Sequence, residues 1–197
     1  MGMKSLRWNS NIFLLLIIMC ISFSIKAQEK KWYVPNGIML QYAGNIGMFS
    51  AGPIWNYGKN CKWETIAMAG FVPGKNGNHG ATTFTLKENF TPLNIAIENK
   101  RYNNITLEPV VFSFFGNIIT GKQYWFHEPK KYNNGDYYRY SSRARAELGI
   151  GSRINLNNIA FFYEFSTYDL AIRYAICNKT INLFDILSLG IGVQTRF

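Results

Sequence analysis

From Leu187 to Phe197 the chain alternates without a break. Leu187, Leu189, Ile191, Val193, Thr195 and Phe197 fall on one face; Ser188, Gly190, Gly192, Gln194 and Arg196 fall on the other. Successive side chains leave a pleated backbone on opposite sides, so this period of two predicts a half-buried strand. Arg143–Arg153 repeats the plan, with Ala144, Ala146, Leu148 and Ile150 opposed to Arg143, Arg145, Glu147, Gly149, Gly151 and Arg153. Ile159–Ser166 sets Phe161, Tyr163 and Phe165 against Ala160, Phe162, Glu164 and Ser166, and Ile38, Leu40 and Tyr42 alternate with Met39, Gln41 and Ala43. Rougher alternation covers Met48–Asn56 and Trp63–Phe71, where Glu64 lies opposite Trp63, Thr65 and Ala67. Further on, Phe84 and Leu86 face away from Thr83, Thr85 and Lys87. Ile105–Phe115 is apolar nearly throughout, so alternation assigns it no face.

The pattern predicts eight strands, at 38–45, 47–57, 61–73, 80–90, 104–117, 142–154, 157–166 and 185–197, with turn residues such as Asn45-Ile46-Gly47 and Asn155-Leu156-Asn157-Asn158 between them. Pro53 and Pro109 fall inside two of these strands, where each removes a ladder donor. Two further stretches, Leu93–Ile97 and Leu170–Ile176, alternate weakly and would raise the number to ten. No segment predicts a long amphipathic helix.

Alternation leaves open which face is wet. A soluble, lipocalin-like barrel turns its aliphatic side chains inward; a membrane barrel turns them outward. Phe197 ends the given chain on the apolar face of the last strand. Gly149, Gly151, Gly190 and Gly192 fall on the polar face, where glycine suits a narrow lumen crowded by Arg and Glu. Trp55, Tyr57, Trp63, Phe71, Tyr163 and Phe165 gather near strand ends, as interfacial girdles do. Composition agrees: only 16% of residues are charged and 16% are aromatic, against about 25% charged in soluble domains. After Gln28 no apolar run nears the ~20 residues of a membrane helix, so any crossing is by a closed barrel, which satisfies every backbone group. Loop parity then favours eight strands, because eight put the long 118–141 segment on the outer side with the other long loops and ten would move it inward.

The first residues read as a signal segment. Lys4 and Arg7 precede the uncharged run Ile12–Ile25, and Ala27 offers a small residue for cleavage before Gln28. The alternative is an N-terminal membrane anchor. Cys20 follows Met19 rather than a small residue, which does not fit a lipoprotein signal. The expected domains are therefore 1–27, signal peptide, and 28–197, β-barrel. Removing Lys4, Arg7 and Lys26 lowers the formal charge from +10 to +7, an excess that favours anionic partners.

The architecture over residues 38–197, with the signal segment and Phe197, resembles small eight-stranded outer-membrane barrels of the OmpA/OmpX type. The resemblance is at the level of the class. It implies an all-β, antiparallel transmembrane barrel in the outer membrane of a Gram-negative-type envelope, with Phe197 as a signal to the barrel-assembly machinery, and it implies no activity.

Searches for chemistry exclude several classes. Gly70–Asn76 is one residue short of a phosphate loop and has Asn76 where Ser or Thr is required. Gly149-Ile150-Gly151 and Gly190-Ile191-Gly192 lie inside strands and so are not dinucleotide fingerprints. The two histidines, His79 and His127, lack a Ser two residues on, the pattern of a barrel lipid A deacylase, and two separated histidines form no metal set. No cofactor, metal or nucleic-acid partner is expected.

Two sets of residues remain as candidates. In the long loop 121–141, Trp125, Lys130, Lys131, Tyr137, Tyr138 and Arg139 interleave aromatic and basic groups that suit outer-membrane lipid or an anionic glycolipid; the alternative is an ordinary interfacial rim. On the inward face, Glu64, Lys87, Arg143, Arg145, Glu147, Arg153, Glu164 and Arg196 are expected to pair into a lumen charge network. The leading function is a non-enzymatic envelope barrel with a plugged lumen. The alternatives are a lipid A-modifying barrel enzyme and a narrow anion-selective channel.

Overall fold

The structure is a computed structural model that describes residues 33–74, 80–97, 105–121, 123–126, 141–177 and 186–197. The expected signal segment, His79, His127 and most of the long loop lie outside the described residues.

Nine strands follow in order: β1 (Gly37–Ala43), β2 (Phe49–Tyr57), β3 (Trp63–Val72), β4 (Ala81–Phe90), β5 (Ile95–Ile97), β6 (Ile105–Ile119), β7 (Ala144–Leu156), β8 (Ile159–Tyr168) and β9 (Ser188–Arg196). A nine-residue helix, α1 (Asp169–Cys177), follows β8. All pairings are antiparallel. β1 bonds to both β2 and β9, and β4 bonds to both β3 and β6, so the sheet closes on itself. β5 pairs with β6 in the register β4 has already set: Phe90 faces Phe112 and Ile95 faces Leu107. It therefore continues β4 past the break at Pro92, and the barrel has eight staves. Of the two weakly alternating stretches, the first supplies only this short extension. The second folds as α1, where the Asp169 carboxylate accepts the Leu170 N–H at 2.8 Å.

The prolines mark the irregularities. Opposite Gly52 and Pro53 the β2–β3 ladder skips from Ala51–Ala69 to Ile54–Ile66, while Pro53 keeps its pairing with Ile38 of β1. The backbones are close there: a Cβ on Gly52 would run into the Ala67 carbonyl. In β6 the register against β7 shifts between Glu108 and Val111, a bulge at Pro109, so Glu108 and Val111 both point inward although three residues apart. That bulge is why alternation gave Ile105–Phe115 no face.

The two ends differ. One carries the first residue of β1, the last of β9 and the connections 58–62, 91–104 and 157–158. The last of these is a two-residue hairpin turn with Asn157 at φ 56°. The other end carries 44–48, 73–80, 120–143 and 169–187, so three of the longer connections share one end. Between the ends the wall is inside out for a water-soluble protein. Outward positions such as Leu40, Leu86, Phe112, Phe114, Leu148, Phe161, Tyr163, Leu189 and Ile191 are exposed. Among the described residues, 17 buried side chains are polar or charged and 11 are hydrophobic.

Cys61 sits in the β2–β3 connection, exposed and free. Cys177 ends α1 at the opposite end of the barrel. A ten-residue stave is about 33 Å long, whereas bridged cysteines have Cα atoms within about 7 Å. No Cys61–Cys177 disulfide should therefore form in the folded protein. An intact-mass measurement showing a Cys61–Cys177 bridge would contradict the strand topology.

Candidate functional site

Eight staves enclose an interior that side chains alone can fill, and here that filling is polar. Arg153 of β7, 2% exposed, donates from Nη1 to Glu64 Oε1 of β3 at 2.8 Å, and its Nε lies 3.0 Å from Glu108 Oε2 of β6. Gln194 of β9 bonds both partners, donating to Glu64 at 2.7 Å and accepting from Arg153 at 2.8 Å. Arg196 reaches Glu64 at 3.3 Å from the barrel end, and Asn155 donates to Glu108 at 2.8 Å. Asn89 of β4 donates to the other Glu64 oxygen at 3.0 Å. The Ser113 hydroxyl, with one proton to donate, lies between two acceptors, Asn89 Oδ1 at 2.8 Å and the Glu164 carboxylate of β8. Glu164 is held by Lys87 Nζ at 2.8 Å, and Lys87 also reaches Gln41 of β1 at 3.4 Å. One chain of polar contacts, anchored by ion pairs at Arg153 and Lys87, thus runs through seven of the eight staves.

Such a path is what burial demands. An isolated ion taken from water costs several kcal/mol even after relaxation, and only a counter-charge plus further hydrogen bonds offsets this. The remaining stave, β2, contributes to an apolar cluster of Met39, Ile46, Ile54, Ile66, Met68 and Phe115. Lys87 Nζ lies 5.2 Å from the Phe115 ring centroid and 5.8 Å from that of Phe162, so the rings also face its charge. Small inward residues make the space: a Cβ on Gly149 would lie 2.9 Å from the Glu164 carboxyl carbon. Between Met39, Lys87, Val111, Arg153, Phe162 and Glu164 a cavity of about 10 Å³ remains, near the lower limit for a single water.

The β1–β2 turn folds into the barrel at the other end. Ile46, fully buried, hangs its carbonyl between the Ser50 hydroxyl at 3.1 Å and the Thr83 hydroxyl. Asn117 of β6 donates to the Asn45 carbonyl at 3.1 Å, and Ser166 of β8 donates to the Gly44 carbonyl at 3.2 Å. Side chains from β2, β4, β6 and β8 therefore grip one five-residue turn. Its backbone needs left-handed positions at Ala43, Gly44 and Asn45 in succession (φ 60°, 79° and 68°); glycine and asparagine tolerate these best. Asn117 also lies 3.4 Å from Glu147, buried at the same level.

Six of the eight charged residues expected in the lumen enter or border these clusters: Glu64, Lys87, Glu147, Arg153, Glu164 and Arg196. Arg143 stands outside them. Its guanidinium donates to the Gly121 carbonyl at 2.9 Å and covers the Phe126 ring at 5.2 Å. Arg145 lies over the Tyr168 ring at 4.9 Å. Sequence reasoning missed Glu108, because the bulge hid its face, and passed over the neutral linkers Gln41, Asn89, Ser113 and Gln194. It also read Asn45-Ile46-Gly47 only as a turn; an isoleucine between Asn and Gly was the available sign of burial. In the long loop, the Trp125 carbonyl accepts the Ser142 and Arg143 N–H groups at 3.1 and 3.2 Å, pinning the loop base. Lys130, Lys131, Tyr137, Tyr138 and Arg139 lie outside the described residues. Phe197 faces outward, 72% exposed, its N–H donated to the Asn36 carbonyl at 2.7 Å.

Arg153→Met leaves Glu64 and Glu108 without their central cation. It should lower folding stability by about 3–5 kcal/mol, read from urea unfolding of the refolded barrel. The triple variant Arg153→Met/Glu64→Gln/Glu108→Gln should recover part of that loss. A near-neutral single variant would contradict the pairing.

No family model matches this chain, and no curated protein sequence matches it. Among solved structures, the chain is similar to the crystal structure of Acinetobacter baumannii CarO, with 12% identity, a TM-score of 0.41, and cover of 85% of this chain and 100% of that one. The eight-stave antiparallel barrel rests on this chain's own strand pairing.

Proposed function

We propose that the chain is a non-enzymatic transmembrane barrel of an outer-membrane-type envelope, its lumen closed to ions and its two longest connections presented at one surface. The observation that carries this reading is the inverted wall, with paired charges inside and large apolar side chains outside. Thirty-one large hydrophobic residues are exposed among those described. At about 1.5–3 kcal/mol for each such side chain kept from water, a soluble barrel would forgo tens of kcal/mol, more than the 5–15 kcal/mol that holds a domain folded. Lipid removes that cost. A closed barrel also leaves no sheet edge and no unsatisfied backbone in the wall.

Two features support a closed lumen: the ion pairs of Arg153 with Glu64 and Glu108 and of Lys87 with Glu164, joined by neutral side chains, and the turn 44–48 seated in the opposite mouth. The proposal extends to the end that carries 120–143. With the longer connections outside, the aromatic and basic loop 121–141 contacts outer-membrane lipid or an anionic glycolipid. On this reading residues 1–27 are the signal peptide, and the barrel-assembly machinery inserts the rest.

Planar-bilayer recording tests the closed lumen. The purified protein should give no stable conductance steps at voltages that leave the bilayer intact. Stable anion-selective steps that change on Arg145→Ala would overturn the closed reading and make transport the function.

A further inference from the structure

Among the described strand residues, one charged group faces outward from the apolar wall. Glu88 of β4 alternates with the buried Lys87 and Asn89, so its side chain leaves the barrel on the same face as Leu86 and Phe90. Past Phe90 the same edge continues through exposed Leu93, Ile95 and Ile97. Its carboxylate is held in place. The Tyr57 hydroxyl donates to one oxygen, and the Thr65 hydroxyl donates to the other at 2.6 Å. No ion pair to Glu88 occurs among the described residues.

The surroundings are aromatic. Thr65 pairs across the ladder with both Glu88 and Trp55. Glu88 pairs on its other side with Phe114. Trp63 and Phe90 pack one pair further along, with ring centroids 4.6 Å apart. The Trp55 indole is oriented by its N–H, donated to the Tyr33 carbonyl at 3.0 Å. An oriented carboxylate with aromatic residues at the neighbouring ladder positions has the residue types that recognise an organic ammonium: the charge supplies the attraction, and aromatic rings can accept the partly desolvated cation.

Building on the transmembrane reading, we propose that Tyr57, Thr65 and Glu88, with Trp63 and Phe90 beside them, form an outward-facing site for the ammonium headgroup of a membrane phospholipid. Two arguments select a lipid as the occupant. The carboxylate opens onto the face that the membrane covers, and the aromatic residues Trp55, Tyr57, Trp63 and Phe90 mark the level at which headgroups meet a barrel wall. The site lies towards the end carrying the 58–62 connection, so it draws on the leaflet at that end. Primary and quaternary ammonium groups share this chemistry. The two hydroxyls already bonded to Glu88 leave each oxygen a further lone pair for N–H donors, which favours the primary amine.

The test reconstitutes the full chain in vesicles of phosphatidylethanolamine, phosphatidylcholine or phosphatidylglycerol with matched acyl chains. Insertion is scored first by flotation and heat-modifiable gel mobility, and lipid retention then by native mass spectrometry. The wild type should insert and retain one phosphatidylethanolamine in preference to phosphatidylglycerol by about tenfold, the ratio that a screened charge plus a cation–π contact supports, with phosphatidylcholine between them. Glu88→Gln keeps the shape and the hydroxyl contacts, and should bring the ratio to near one. Tyr57→Phe should reduce it partway and serves where Glu88→Gln fails to insert. Insertion with no headgroup preference, or with a preference untouched by both variants, overturns the site and leaves the transmembrane reading standing. A dimer that Glu88→Gln converts to monomer also overturns it, because the occupant would then be a second copy. Failure of the wild type to insert overturns the transmembrane reading and the site with it.

Discussion

An ion cannot be left alone out of water, and the interior of this barrel is arranged around that requirement. Arg153 is almost wholly buried, so Glu64 of β3 and Glu108 of the adjacent β6 close on it, and Gln194 adds a further acceptor. Those carboxylates in turn need donors beyond Arg153, which Asn89, Asn155 and Arg196 provide. The demand propagates from stave to stave until it reaches Lys87 and Gln41. Because each link joins residues far apart in sequence, the network also fixes which staves lie opposite one another. A slip of one residue in any of them would turn its charged member out to the apolar side.

The same accounting explains the outer wall and the mouth. With charges inside, the large apolar members of most alternating pairs point outward, and on the proposed transmembrane reading lipid is what covers them. The turn 44–48 obeys the rule that buried backbone carbonyls find donors: Gly44, Asn45 and Ile46 are each met by an inward hydroxyl or amide. Among the described residues Glu88 is the charged exception on the outer wall, its carboxylate bonded by the Tyr57 and Thr65 hydroxyls, and the headgroup proposal gives its charge a partner from outside the chain.

Much of the fold was legible because alternation is a local signal. β9, β7 and β8 were readable from their strict period of two, and Glu64, Glu147, Arg153 and Glu164 fall on the face the period assigns. What was not legible depends on non-local pairing. The bulge at Pro109 adds one residue to β6, a change of phase that only the β7 register reveals, and it concealed Glu108. The turn at Asn45-Ile46-Gly47 read as an ordinary turn: its isoleucine hinted at burial, but nothing nearby says that Ser50, Thr83, Asn117 and Ser166 will converge on it. Arg143 matched the alternating face but lies one residue before β7, where the Gly121 carbonyl and the Phe126 ring of the loop are the nearer partners.

Site-directed spin labelling in lipid vesicles tests the inverted wall most directly. Labels placed one at a time at Phe161, Tyr163 and Phe165 of β8 and at Leu189, Ile191 and Val193 of β9 should collide freely with dissolved oxygen and weakly with a water-soluble nickel chelate. A label at Asn158, in the two-residue turn, should show the reverse. High nickel-chelate collision at all six strand positions would place the apolar face in water and contradict the account.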